Sequence, residues 1–248
     1  MLKKERHAYI LHQINLHNRV LSGYLSQQMQ VSEDTIRRDL KELADHGKII
    51  KVHGGALSPS FHQHLQSGQV YSADKKKIIA QKAVSLIQDG MFILTTGGTT
   101  IIELARTLPA SLHATFITGS LPVAYEYMNH PNIDVIVVGD KLSKSSKITI
   151  GSEAIGKIKQ IRADLCFLGV NALDITHGLT DNDWDIVQLK KAMIESSRQV
   201  VALSIAEKIN TSQRLKVCDS NAIHVLVTEL MPSDLLLQPY VAQGLQVL

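Results

Sequence analysis

From Asp74 onward, short apolar runs alternate with amphipathic stretches of about ten to fifteen residues, the period of βαβ units rather than of hairpins or bundles. The predicted strands are Met91–Leu94, Ala114–Ile117, Val135–Val138, Leu165–Gly169, Val200–Leu203 and Val225–Thr228. Predicted helices fall at Lys75–Gln88, Ile101–Leu108, Pro122–Asn129 and Ile186–Ser197. Parallel strands need crossovers that cover both faces of a sheet, so a mostly parallel α/β domain is expected. Composition fits this. Hydrophobic residues make up 44% of the 248 while aromatics are only 4%, which leaves Ile, Val, Leu and Ala to build the core. That hydrophobic content excludes a disordered chain, and the length favours one small and one larger unit. No apolar run reaches the roughly 18–20 residues that span a bilayer, and the start MLKKERHAYILHQI has no secretory core. A cytoplasmic protein without a membrane partner is expected, with Cys166 and Cys218 as reduced core thiols.

The first quarter follows another rule. Residues 1–57 hold nine Lys/Arg against six Asp/Glu, which accounts for the whole formal net charge of +3. A helix over residues 3–16 carries Ile10 and Ile14 at i, i+4. Ser22 is the expected N-cap of a second helix bearing Leu25 and Met29. Ser32 caps a third, with Glu33 and Asp34 in the first turn, where the helix dipole favours them, and Ile36, Leu40 and Leu43 facing inward. Gly47 ends it. Lys48–Val52 and the Gly54-Gly55 turn form a short β wing. Three domains of sequence result: a winged helix-turn-helix over 1–57, a linker over 58–73, and the α/β domain over 74–248.

In a helix-turn-helix the second helix enters the DNA major groove with its N-terminal residues at base edges. Ser32, Glu33, Thr35, Arg37, Arg38 and Lys41 are so placed, and Lys51 and His53 on the wing would lie along flanking phosphates. An arginine fork bonds bidentately to guanine or clamps a phosphate, while Ser32 and Thr35 hydroxyls serve the backbone. Asp39 is a competing partner for a neighbouring arginine. Double-stranded operator DNA, bound by a dimer across repeated half-sites, is the expected partner.

Gly97-Gly98-Thr99-Thr100 lies between a predicted strand and helix. Backbone amides at a helix N-terminus, free of Cβ atoms and flanked by hydroxyls, suit an anion, although a tight turn needing glycine explains the same residues. It is not a P-loop, since no Gly-Lys-Ser/Thr follows at the required spacing. Asp181, Asp183 and Asp185 alternate around Trp184 and either hold a sugar against the indole or form a polar loop into a helix. His53, His62 and His64 lack Cys or acidic partners at ligand spacing, so no metal and no cofactor is expected. No Ser-His-Asp or Cys-His grouping assembles from local spacing, so no catalytic residue is assigned.

Arg6, Ile10 and Ile14, then the tract VSEDTIRRDLKEL and the following GKIIKVHGGA, resemble the signature of DeoR-type bacterial transcriptional regulators. KKKIIAQKAVSLIQDG, TTGGTT, Thr118-Gly119-Ser120, DLCFLGVN and Gly178-Leu179-Thr180 follow the order of that family's sensor domain, over roughly residues 74–230. The resemblance implies a winged helix-turn-helix joined to a sugar-phosphate sensor related to sugar-phosphate isomerases. It implies homo-oligomers, often repressors of carbohydrate genes. Carried over residue by residue, it places the effector against Gly97, Gly98, Thr99, Thr100, Thr118, Ser120 and Lys208. Thr95, Gly119, Leu165, Gln188 and Ile205 depart from the family's polar or charged residues, and Gly139-Asp140 stands where it has Gly-Gly. A less charged pocket is therefore expected, one that takes an anion while holding simple hexose phosphates poorly. Two other readings stay open: an isomerase-like enzyme with an accessory DNA module, and an oligomerisation domain without a ligand.

Overall fold

The computed structural model describes residues 1–17, 19–59, 70–139 and 141–248. The chain divides into two units, Met1–Tyr71 and Ser72–Leu248. Most of the stretch expected to link them, with His62 and His64, lies outside the described residues.

The first unit holds α1 (Lys3–His17), β1 (Arg19–Leu21), α2 (Ser22–Met29), α3 (Glu33–Asp45), β2 (Ile50–Val52) and β3 (Gly55–Leu57). Its core joins Ile10 and Ile14 of α1, Leu25 and Met29 of α2, and Ile36, Leu40 and Leu43 of α3. Burying one such aliphatic side chain contributes about 1.5–3 kcal/mol, so three inward faces are what hold so small a unit together. α3 starts where expected: the Ser32 hydroxyl accepts the Thr35 amide at 3.3 Å. Ser22 does not cap α2. Leu21 occupies that position, and Ser22 is a buried first helical residue. The wing also gains a strand, because β1 pairs antiparallel with β3, which lies between β1 and β2. Gly55 makes this possible, since a Cβ there would sit 2.0 Å from the Val20 carbonyl oxygen.

The second unit is built on seven parallel strands: β4 (Phe92–Thr95), β5 (Thr115–Thr118), β6 (Asp134–Val137), β9 (Ala163–Gly169), β12 (Ser197–Leu203), β14 (Val225–Val227) and β15 (Gln246–Val247). Their order across the sheet is β15-β14-β12-β9-β4-β5-β6. β4 is first in the chain and central in the sheet. The chain winds outward through β5 and β6, then returns to lay β9 on the other side of β4. Helix α4 (Ala73–Val84) leads into β4, and α5 (Thr99–Thr107), α6 (Leu121–Met128), α7 (Ser152–Lys159) and α8 (Trp184–Glu195) supply crossovers, with α9 (Gln238–Ala242) before β15. Leu94, Ile117, Cys166, Leu168, Val200, Ala202 and Leu226 are fully buried, as strands covered on both faces require.

Sequence periodicity missed several short pieces. These are α7, α9 and β15, the hairpin β7 (Lys141–Ser143) with β8 (Ile148–Ile150), and the antiparallel sheet of β10 (Ala172–Asp174), β11 (Gly178–Asp181) and β13 (Leu215–Cys218). Three or four residues are too few to display an alternation, and these strands lack the apolar runs that mark β4, β5, β6 and β14. The helix expected to run to Ser197 stops at Glu195, since Ser197 already opens β12. Cys166 is buried and free, and Cys218 is half-buried and free.

Candidate functional site

Two faces carry the chemistry, one in each unit. In the first, α3 turns Ile36, Asp39, Leu40 and Leu43 inward, which leaves Ser32, Glu33, Arg37, Arg38 and Lys41 exposed and Thr35 half-buried. Asp39 is not a partner for its neighbouring arginines. Its carboxylate accepts two bonds from Arg6, at 2.7 and 3.1 Å, and lies 3.1 Å from the His7 ring. Burial would raise this carboxyl, but Arg6 and His7 more than offset it and hold it below its ordinary value. Arg37 instead leans back along its own helix, 2.9 Å from Asp34 and 3.9 Å from Glu33. Arg38 has no ion pair among the described residues. With the exposed Lys41, it is an outward cation that this helix leaves uncommitted. On the wing, Lys51 in β2 and His53 in the β2–β3 turn are both exposed.

In the second unit, winding reverses between β4 and β9, and open α/β sheets hold ligands in the crevice at the carboxyl ends of such a strand pair. The Thr96–Thr100 loop leaves β4 there and enters α5. Gly98 caps that helix with φ 116° and ψ 161°, a conformation suited to glycine. Gly97 is confined as well, since a Cβ on it would lie 2.8 Å from Ile148 and 3.0 Å from the Ser120 hydroxyl. The Thr96 hydroxyl accepts the Gly169 amide at 2.8 Å, which stitches this loop to the end of β9. Thr99 is buried, and Thr100 half-buried. Thr118 is spent on structure: its hydroxyl donates to the Thr95 carbonyl at 2.9 Å and accepts the Ser120 amide at 3.1 Å. The buried Ser120 hydroxyl has no hydrogen bond among the described residues.

The crevice nonetheless holds charge. Lysines from three distant stretches of chain meet near the end of β9, and only Lys208 was anticipated. Lys190 of α8 donates to the Gly169 carbonyl at 2.9 Å and to Asp181 at 2.8 Å, and Asn171 donates to the other Asp181 oxygen at 3.0 Å. Burial would raise the Asp181 carboxyl, yet Lys190 and Asn171 hold it below its ordinary value. Lys208 donates to the Val170 carbonyl at 2.9 Å. Its ammonium is pushed down to about 7, mainly by burial, then by repulsion from Lys76 and Lys190, with Asp181 and Glu207 opposing. Lys76 of α4 is buried and pushed down to about 8, with Glu103 and Glu207 opposing.

Most departures are packed positions rather than an emptied pocket. Leu165 and Ile205 are buried in the core, and the Thr95 hydroxyl accepts from Tyr127 at 3.3 Å. Gly119 is crowded, because a Cβ there would lie 2.6 Å from the Thr149 hydroxyl. Gln188 is half-buried on α8, while Asp140 lies outside the described residues. The acidic run splits by role. Asp183 caps α8 through the Asp185 and Ile186 amides, Asp185 is exposed, Trp184 is 64% exposed, and only Asp181 turns into the crevice. The local spacing around Trp184 concealed that difference, because β11 ends between Asp181 and the helix.

The family model of the DeoR-like helix-turn-helix domain matches residues 6–61, and that of the DeoR C terminal sensor domain matches residues 71–230. The chain is 32% identical over 237 residues to the HTH-type transcriptional repressor GlcR of Bacillus subtilis, covering 94% of this chain and 91% of that protein. It is also 32% identical over 222 residues to the glycerol-3-phosphate regulon repressor of Haemophilus influenzae, covering 86% of each. Among solved structures, eIF2B beta from Chaetomium thermophilum matches with a TM-score of 0.50 at 16% identity. That match covers 70% of this chain and 57% of the other, and it is a likeness of fold. A ribose 5-phosphate isomerase from Methanocaldococcus jannaschii matches at a TM-score of 0.41 and 21% identity over 56% of this chain and 55% of that one. Both family models fall on the two faces described, and together with the repressors they establish that this chain belongs to the DeoR family of DNA-binding transcriptional regulators.

Proposed function

We propose that this protein is a cytoplasmic, homo-oligomeric repressor of carbohydrate-metabolism genes, released from operator DNA by a phosphorylated sugar. Residues 1–57 read DNA, 58–73 connect, and 74–248 sense the effector and associate. The exposed, unpaired Arg38 carries the first half of this reading. It sits one turn inside a capped helix whose inner face is fixed by Ile36 and Leu40, so its fork is presented to a groove. Arg37 engages DNA only by leaving Asp34 and Glu33. Ser32 and Thr35 fix the helix on the backbone, Lys41, Lys51 and His53 touch flanking phosphates, and Glu33 serves as a counter-ion to Arg37 rather than as a contact.

Three lysines beside a glycine-rich helix start carry the second half. A phosphate dianion would be met by Gly97, Gly98, Thr99 and Thr100, offering backbone amides and hydroxyls, and by the Lys208 ammonium, since Asp181 is already taken by Lys190. Ser120 is the free hydroxyl for the sugar. Sensing is favoured over catalysis because Asp181, a carboxylate turned into the crevice, is committed to Lys190 and Asn171 and is a poor general base. The test is operator binding at fixed salt over a panel of sugar phosphates, with ligand affinity titrated with and without DNA. Linkage requires the two ligands to weaken each other by the same factor. Equal sugar-phosphate affinity in both titrations would sink the effector role, and an unchanged operator affinity for Arg37→Ala/Arg38→Ala would remove α3 from the interface.

A further inference from the structure

The two edges of the seven-stranded sheet are unlike. β15 is a two-residue strand close to the end of the chain. β6 is a four-residue edge strand whose Ile136 and Val137 are 45% and 50% exposed. Beside it, α6 carries Leu121, Tyr125 and Met128 at i, i+4, i+7, all exposed, Met128 by 66%. Proteins that stay monomeric blunt such an edge with an inward charge, a proline, a bulge or a covering element. Val135-Ile136-Val137 has no charge and no proline. The charges stand at its ends, Asp134 at the start and Lys141 beyond the finish, both exposed and neither in an ion pair among the described residues.

We propose that β6 and α6 form a two-fold interface with a second copy of this chain, the two β6 strands pairing antiparallel. Antiparallel pairing brings the start of one strand to the end of the other, so Asp134 approaches the partner's Lys141 on both sides of the axis. Every unpaired β6 amide and carbonyl on the edge gains a partner, and the apolar stripe of α6 is covered in the same step. The five apolar side chains expose on the order of 500 Å² together, comparable to the largest patches on monomers, which are often functional. The strand backbone and the polar rim add to that area, toward the roughly 800 Å² per partner of a standard interface. This deepens the oligomeric part of the proposed function and locates it.

Sedimentation of the full-length chain without DNA, over a micromolar concentration series, tests the surface. The unmodified chain is expected to dimerise, and Tyr125→Glu/Ile136→Lys to raise the dissociation constant at least tenfold. Leu235→Lys, 86% exposed and outside β6 and α6, is the control and should change nothing. Single cysteines at Val135, Ile136 and Val137 give a second readout that survives poor folding of the charged variant. With an added oxidant, at least one should yield a disulfide-linked dimer, and Leu235→Cys should not. A chain that is monomeric throughout, a dimer indifferent to the double substitution, or dissociation by Leu235→Lys alone would overturn the proposal. Dimerisation through this edge with no operator binding would instead count against the regulator reading and leave the interface standing.

Discussion

The DNA-binding face and the effector crevice are assembled in opposite ways. Ser32, Thr35, Arg37 and Arg38 lie within seven consecutive residues, so the helix that orients them also brings them together. Lys76, Lys190 and Lys208 come from α4, α8 and a short 3-10 turn at Ala206–Lys208, and only the assembled domain gathers them. A face made by one helix has its energetics in caps and local pairs. A face made by a fold has them in buried charge, and its failures should be larger.

The largest expected effect follows from that contrast. Lys190→Ala strands the Asp181 carboxylate, whose side chain is 7% exposed, and should destabilise the second unit by about 3–5 kcal/mol. Chemical denaturation resolves this, and Lys190→Ala/Asp181→Ala should recover part of the loss. Recovery of nothing would mean that the pair is not coupled. In the first unit, Arg6→Ala removes two bonds from Asp39 but leaves it the His7 ring at 3.1 Å, so about 2–3 kcal/mol is expected. The Asp39 carboxyl is depressed in the folded protein, so its stabilisation is present above the unfolded value near 4 and lost as pH falls through the folded one. Arg6→Ala should flatten that acid limb, which thermal melts at descending pH would reveal.

Next comes the contrast between neighbours on α3. Arg38→Ala should weaken specific operator binding by about 1–3 kcal/mol, and Arg37→Ala by less, because Asp34 and Glu33 already compete for it. Equal losses in gel-shift titrations would show that those helix pairs open without cost. The smallest effect is a pH slope. With Lys208 near 7, an anion that needs its ammonium must recruit a proton above that pH. Sulfate does not titrate there, so its affinity should fall as pH rises from about 7 to 9, approaching tenfold per pH unit, or about 1.4 kcal/mol. Lys208→Met should flatten the slope, leaving only what Lys76, near 8, contributes. The stability sign is opposite: the unfolded chain binds more protons between about 7 and the ordinary lysine value of 10.5, so the free protein gains stability with rising pH across that window.

The same contrast explains what could be read from the sequence. The cap at Ser32 and the stripe Ile36, Leu40, Leu43 are spaced within one helix, so their roles are local facts. The long strands of the parallel sheet show as apolar runs for a similar reason. Lys76 and Lys190 could not be found that way, since a lysine on an amphipathic helix looks the same whether it meets solvent or a sheet crevice. Ile205 and Leu165 misled in the other direction, because a missing charge at a packed position says little about a pocket formed elsewhere. Asp39 beside Arg38 suggested a local pair, and Arg6, more than thirty residues away, takes it instead.

The sheet order also bears on how the chain is made. β4 emerges first and ends in the middle, and each later strand joins an open edge: β5 and β6 on one side, then β9, β12, β14 and β15 on the other. No strand has to be threaded between two already paired. A nascent chain can therefore extend the sheet as it leaves the ribosome, with the domain growing in the direction of synthesis. Until Gln246 and Val247 arrive, the growing side ends in β14 as a bare strand, and β15 is what covers it.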